Sequence, residues 1–123
     1  MTTSPATSQL GRAGEQLAAD ELRRRGYGII TMNWRCRYGE VDIIARQGGV
    51  LVFVEVRTRR ASSVTPAFES INPAKRHKMT SAALEFIRQA NAEDCAWRVD
   101  VIAIGIPAQG EPRIEHIEDA LGW

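Results

Sequence analysis

Residues 39–57 read GEVDIIARQGGVLVFVEVR, three carboxylates and a terminal guanidinium inside segments that otherwise have the composition of buried strands. A carboxylate buried without a partner is costly, or it is driven to its neutral form. Glu40, Asp42 and Glu55 therefore need a cation, a metal or an open cleft. Side chains two apart on a strand share a face. Glu40 then projects with Asp42, opposite Val41 and Ile43, and Glu55 projects with Arg57, opposite Val54 and Val56. A hairpin turning at Gly48–Gly49 leaves Asp42 and Glu55 each six residues from the turn, as cross-strand neighbours. Two carboxylates so placed repel unless positive charge lies between them. A divalent cation meets that need, because Mg²⁺ takes one or two carboxylates together with waters and substrate phosphate. The same residues also suit a structural arrangement, with Glu55 paired to Arg57, Asp42 to a nearby arginine, and Glu40 in solvent. Spacing alone leaves both open.

The elements that must position these groups follow from periodicity. Between Gln9 and Arg25, Leu10, Ala13, Gly14, Leu17, Ala18 and Leu22 recur at helical spacing, and Gly26 supplies a stop. Glu15 falls beside Ala18 and Leu22 at the margin of that stripe, where it can look into a cleft or simply serve as a first-turn acid favourable to the helix dipole. YGIITMN reads as a first strand, and EVDIIAR and VLVFVEVRT flank QGG as an antiparallel hairpin. The second arm is almost wholly apolar, as a strand covered on both faces must be. RRASSVTPAFESI has no period and reads as a long surface loop. Asn72-Pro73 is a cap followed by a first-turn proline, opening a helix to about Ala90 that carries Met79, Ala82, Ala83, Phe86 and Ile87. WRVDVIAIGI is a further strand and RIEHIED an edge strand. The expected organisation is a flexible tail over residues 1–8 and one α/β domain over 9–123, a mixed sheet flanked by helices.

Composition sets the outer bounds. The 123 residues are 44% hydrophobic and 25% charged, a composition that supports a core and is not that of a disordered chain. The net charge of +1 gives no global basic field, yet residues 1–61 hold ten Lys/Arg against six Asp/Glu, while 62–123 hold six against nine. The first half can therefore present a local basic face. Cys36 and Cys95 match no metal-ligand or redox spacing and read as reduced thiols. With no apolar signal segment at the start and no apolar run near the ~20 residues that span a bilayer, the expectation is a cytoplasmic protein without membrane association. His77 and His116 read as surface residues, Asp100 with Arg98 as a structural pair, and the three tryptophans as core or interface packing, Trp123 against a dimer partner.

Asp42, a spacer, and then Glu55-Val56-Arg57 resemble the D…E-x-K core of the PD-(D/E)XK, or restriction-endonuclease-like, nuclease superfamily. GRAGEQLAADELRRRGYGII, GEVDIIA, LVFVEVRTR and WRVDVIAI occur in that order from Gly11 to about Ile104. They resemble the YraN-like family of small uncharacterised bacterial proteins, placed in that superfamily near the archaeal Holliday-junction resolvases. The resemblance implies a restriction-endonuclease-like mixed sheet flanked by helices. It implies a catalytic group of Asp42, Glu55, Arg57 and Glu15, in which Asp42 and Glu55 hold Mg²⁺ or Mn²⁺. Glu15 matches an acidic residue of the first helix that helps hold the metal or orient water. Glu40, following a glycine that permits close backbone packing, is expected to orient these groups from behind. Arg57 stands where the superfamily usually has lysine. A guanidinium stays protonated and suits phosphate, but it cannot act as a general base.

Arg59 and Arg60 lead out of the acidic strand, and Lys75 and Lys78 share a helix face. These four are the expected contacts to a sugar-phosphate backbone on either side of the acids, although charge runs of this kind also serve as solvated surface. Three functions remain open. The first is a metal-dependent nuclease on DNA, of structured or branched form, working as a homodimer. The second is a nucleic-acid-binding protein that keeps the fold and cleaves little or not at all. The third is a protein-interaction module using the 61–71 segment and Trp123.

Overall fold

The structure, a computed structural model, describes residues 5–120. Helix α1 spans Pro5–Arg24, and strands β1 Gly28–Cys36, β2 Gly39–Gln47 and β3 Val50–Arg60 follow. Helices α2 Thr65–Glu69 and α3 Pro73–Gln89 precede strands β4 Ala96–Ile106 and β5 Arg113–Ile117. The first helix begins four residues before the expected Gln9, with a proline at its opening position where the missing N–H costs nothing. Glu15 consequently lies mid-helix and no acid occupies the first turn. Residues 1–4 of the expected tail, and Trp123 with its expected dimer contact, lie outside the described residues. The segment expected to be one long loop contains α2, whose Ala67 is fully buried. Asn72 caps α3 as expected, its side chain accepting the Lys75 backbone N–H at 2.9 Å.

The strands lie in the order β1-β2-β3-β4-β5, with β3–β4 parallel and the other pairs antiparallel. This is the mixed α/β, restriction-endonuclease-like architecture. Among the described residues no helix is long and apolar enough to cross a membrane. Leu22, Ala18 and Ala19 of α1 pack with Ile43, Ala45, Val52, Val54 and Val56 on one face. On the other, Met79, Ala82, Ala83 and Ile87 of α3 pack with Val41, Ile44, Leu51, Phe53 and Val99. β3 is thus covered on both faces. Trp34 and Trp97 join the α3 side, each in edge-to-face contact with a phenylalanine.

Besides a bulge in β1 between Ile29 and Thr31, strict alternation fails at one further place. Met32 packs on the α1 side and Trp34, two residues on, packs on the α3 side. In the paired strand Ile43 packs with α1, whereas Val41 packs with α3. The expectation that Val41 and Ile43 share a face is therefore corrected. Met32 pairs with Ile43 and Trp34 with Val41, so the inversion falls on Asn33 and Asp42, which lie opposite each other. Asn33 has φ of 54°, a left-handed conformation that asparagine tolerates better than most residues. That single residue turns both strands over at the position of Asp42.

A second polar knot lies on the α1 face. Asp100 is fully buried and binds Arg98 at 3.0 Å, the Asp119 N–H at 2.9 Å and His116 Nε2 at 2.8 Å. Burial opposes its charge, but these hydrogen bonds prevail and hold its pKa below the ordinary value. The Arg98 pairing matches expectation. His116 does not: its side chain is 2% exposed, because β5 docks it against Asp100.

α1 approaches β3 closely at one point, where a Cβ built on Gly14 would lie 1.9 Å from Thr58 Oγ1. A side chain there must push the helix off the sheet. Gly14→Ala is expected to cost about 1–3 kcal/mol, the usual range for overpacking. Replacing Thr58 by Ala in the same chain should restore part of that loss in a urea titration.

Candidate functional site

Glu15 from α1, Asp42 from β2, Glu55, Arg57 and Arg59 from β3 and Lys75 from α3 line one open cleft of about 440 Å³. The closeness of Gly14 to Thr58 brings Glu15 down onto the sheet. The β2–β3 ladder ends at Ile43–Val54, so Asp42 is the next residue opposite Glu55, as the hairpin count predicts. There the strand inversion turns the Asp42 carboxylate sideways, and its Oδ2 accepts the Val56 backbone N–H at 2.8 Å. A side-chain oxygen thus replaces a ladder carbonyl. The carboxylate is held by backbone, with its second oxygen left for the cleft.

Carboxylate oxygens of Glu15, Glu40 and Asp42 lie within 4.8 Å of one another. Burial, followed by the charge of Glu55 and then, beyond the Val56 hydrogen bond that opposes the shift, those of Glu15 and Glu40, pushes the pKa of Asp42 up to about 8. Glu15 is also raised, chiefly by burial, although a hydrogen bond from the Asn33 side chain pulls it back. Glu40, expected to orient these groups from behind, has a carboxylate oxygen beside those of Glu15 and Asp42. It also meets Arg35, whose Nε lies 3.4 Å from Glu40 Oε1.

Glu55, in the same cleft, has cationic partners of its own. It is 3% exposed and takes Arg57 Nη1 at 3.1 Å and Lys75 Nζ at 3.4 Å on the same oxygen. Arg57 donates its Nε to Ser70 Oγ at 2.8 Å and its Nη2 to the Ser70 carbonyl at 3.2 Å. The guanidinium expected to meet a phosphate is thereby engaged in holding the α2–α3 connection against β3. Lys75, five residues beyond Ser70, is brought onto Glu55 by that connection. Of the other basic residues, Arg59 lines the cleft with Nη1 donating to the Thr58 carbonyl. Lys78 is not among the residues that line the cleft and lies beside the β1–β2 turn, with Cβ 3.9 Å from a Cβ built on Gly39. Arg60 lies apart, beside Ile106 and Pro107.

Two participants escape sequence reasoning. Asn33 carries no motif, and its only signal is an asparagine in the middle of a strand. Ser70 is invisible because its role depends on the unforeseen α2.

Oxygen ligands from α1 and β2, crowded and short of positive charge, suit a hard divalent cation such as Mg²⁺ or Mn²⁺. The profile of the uncharacterised protein family UPF0102 matches residues 14–104, which include every residue of this cleft from Glu15 to Lys75. A UPF0102 protein of Geobacter sulfurreducens is 48% identical over 111 residues, covering 90% of this chain and 87% of its own. Another, from Roseiflexus castenholzii, is 47% identical over 117 residues, covering 93% and 94%. A third, from Renibacterium salmoninarum, is 41% identical over 109 residues, covering 89% and 92%. The chain belongs to the UPF0102 family.

The pKa of Asp42, about 8 against an ordinary 3.8, has a consequence for stability. Between these values the folded protein keeps a proton that the unfolded chain has lost, so stability falls as pH rises through the window. In metal-free buffer the thermal midpoint of the wild type should decline from pH 5 to pH 8.5. Asp42→Asn can still accept the Val56 N–H, and it should flatten that decline and exceed the wild type at pH 8.5. Parallel profiles for the two proteins would contradict the account.

Proposed function

We propose that this protein is a metal-dependent nuclease acting on DNA, with Glu15, Glu40 and Asp42 as the protein ligands of one Mg²⁺ or Mn²⁺. One observation carries the reading: three carboxylates meet within 4.8 Å. The charges of Glu15 and Glu40 bear on Asp42, whose pKa burial and neighbouring acids lift to about 8. Such crowding raises the energy of the cation-free protein and is relieved when a cation binds. A bound Mg²⁺ or Mn²⁺ would lower the pKa of a water and neutralise charge on the scissile phosphate.

The chain's own groups supply the rest. Glu55 fixes Lys75, whose ammonium can reach a phosphate oxygen in the cleft. Arg57 holds Ser70, and with it the approach of α3, and its permanent charge bars it from taking a proton. The proton of an attacking water must therefore pass to a group other than Arg57. Arg59 in the cleft and Lys78 beside the β1–β2 turn extend the positive charge along the strand path. Action on a two-fold-symmetric branch would require a second copy of the chain.

The alternative of binding without cleavage rests on the engagement of Arg57 with Ser70, which leaves Lys75 as the other cation at Glu55. One panel separates the two. Single-stranded, duplex, flap and four-way-junction DNA are incubated with Mg²⁺, Mn²⁺ or a chelator. Metal-dependent products are expected from the wild type, none from Asp42→Asn or Glu15→Gln, and a rate lower by about a hundredfold from Lys75→Ala. Salt-sensitive binding with no product from any substrate would overturn catalysis in favour of binding alone.

A further inference from the structure

The β1–β2 turn stands beside the carboxylates and has no part in the chemistry above. Cys36 pairs with Gly39, so the turn consists of Arg37 and Tyr38 alone, and Glu40 follows at once. Tyr38 is 39% exposed, which burial does not explain, and the guanidinium carbon of Arg37 lies 4.8 Å from the centre of its ring. The flanking Arg35 side chain is 80% exposed, while its Nε reaches Glu40. Lys78 borders Gly39 from the α3 side. Glu85 and Arg88, farther along α3, lie within electrostatic reach of the turn and pair with each other, Nε to Oε1 at 3.2 Å. The cations Arg35, Arg37 and Lys78 therefore dominate this lip.

The turn is also anchored. Trp34, at the base of the hairpin, meets Phe86 edge-on with ring centres 5.3 Å apart, and Phe86 in turn meets Phe53 of β3. An exposed aromatic ring flanked by arginines, on a hairpin braced to the core, is a platform for a flat, electron-rich group on an anionic chain. Nucleic-acid bases are such groups, and an aromatic side chain stacks on them with little regard to sequence. In an intact duplex both faces of each internal base are already covered by its neighbours. A ring at the tip of a two-residue turn can take only a base that is unpaired or at an end.

We infer that Tyr38, with Arg35 and Arg37, forms a stacking site for an unpaired nucleotide next to the carboxylate cluster, so that the substrate class is nucleic acid with single-stranded character. The inference deepens the nuclease reading and rests on it for the identity of the ligand as a nucleic acid. Phosphates on either side of the stacked base would meet Arg35 and Lys78 on this lip and Lys75 and Arg59 on the other.

The test uses the full chain without divalent metal, so that binding is read apart from cleavage. The probe is a fluorescein-labelled single-stranded oligodeoxythymidine, followed by anisotropy, beside a blunt duplex of equal length. Tyr38→Ala should weaken single-strand binding about tenfold or more and leave duplex binding unchanged. Tyr38→Phe, which keeps the ring, should bind as the wild type does. A 2-aminopurine placed within the single strand should change its fluorescence on the wild type and on Tyr38→Phe, but not on Tyr38→Ala. Equal losses on single strand and duplex, or wild-type affinity in Tyr38→Ala, would overturn the stacking site even if metal-dependent cleavage is found. Conversely, Tyr38-dependent binding here, together with no product from any substrate when Mg²⁺ or Mn²⁺ is supplied, would leave the stacking site standing and remove the nuclease reading.

Discussion

The organising constraint is the repulsion among carboxylates that the fold forces together. Glu15, Glu40 and Asp42 come from a helix and a strand, yet their oxygens meet within 4.8 Å. No flexible surface cluster would stay so arranged, because its side chains would swing apart into water. Here the arrangement persists because each carboxylate is tied down. Asp42 is held by the Val56 N–H, Glu15 by Asn33 and the close seating of α1 at Gly14, and Glu40 by its place beside the tight turn. The strand inversion at Asn33 and Asp42 exists in the service of this cluster, since it is what turns Asp42 out of the normal pleat.

Charge is divided between two sides of the cleft. Three acids face one another with only the exposed Arg35 paired to Glu40, whereas Glu55 is paired with both Arg57 and Lys75. That division gives the arginine of the E-V-R triplet a role distinct from that of a lysine. A lysine has no planar fork with which to bridge Glu55, the Ser70 hydroxyl and the Ser70 carbonyl together. Arg57 is thus a positioning residue, and the ammonium that faces the cleft comes from α3. The two polar centres of the molecule differ in the same way. Asp100 is surrounded by Arg98, His116 and a backbone N–H and is held ionised, as befits a structural knot. Asp42 is buried among acids, and burial with their charges lifts its pKa to about 8.

Much of this was legible in the sequence. Period-two alternation, the QGG turn and the Asn72-Pro73 cap define β2, β3 and α3, and counting back from the turn places Asp42 opposite Glu55. The acids, Lys75 and the family resemblance could be read from residue types in order. What escaped depends on contacts that have no local signature. A left-handed Asn33 reverses the facing of two strands, which no alternation rule foresees. Helix α2 is too short to show a period, and its burial through Ala67 comes from packing on β4. His116, which has no ligand spacing, read as a surface residue, and its docking against Asp100 buries it. Glu40 was given an orienting role on the strength of the glycine before it, and its closeness to Glu15 depends on how α1 seats on the sheet.

The central claim, that these three carboxylates form one cation site, is tested most directly by crystals of the protein soaked in Mn²⁺. Anomalous difference density collected near the manganese edge is the measurement. The account predicts a single strong peak bounded by oxygens of Glu15, Glu40 and Asp42, on the side of the cleft away from the Glu55–Arg57 pair. No peak at saturating Mn²⁺, or a peak held by other residues with Glu15 turned to solvent, would contradict it.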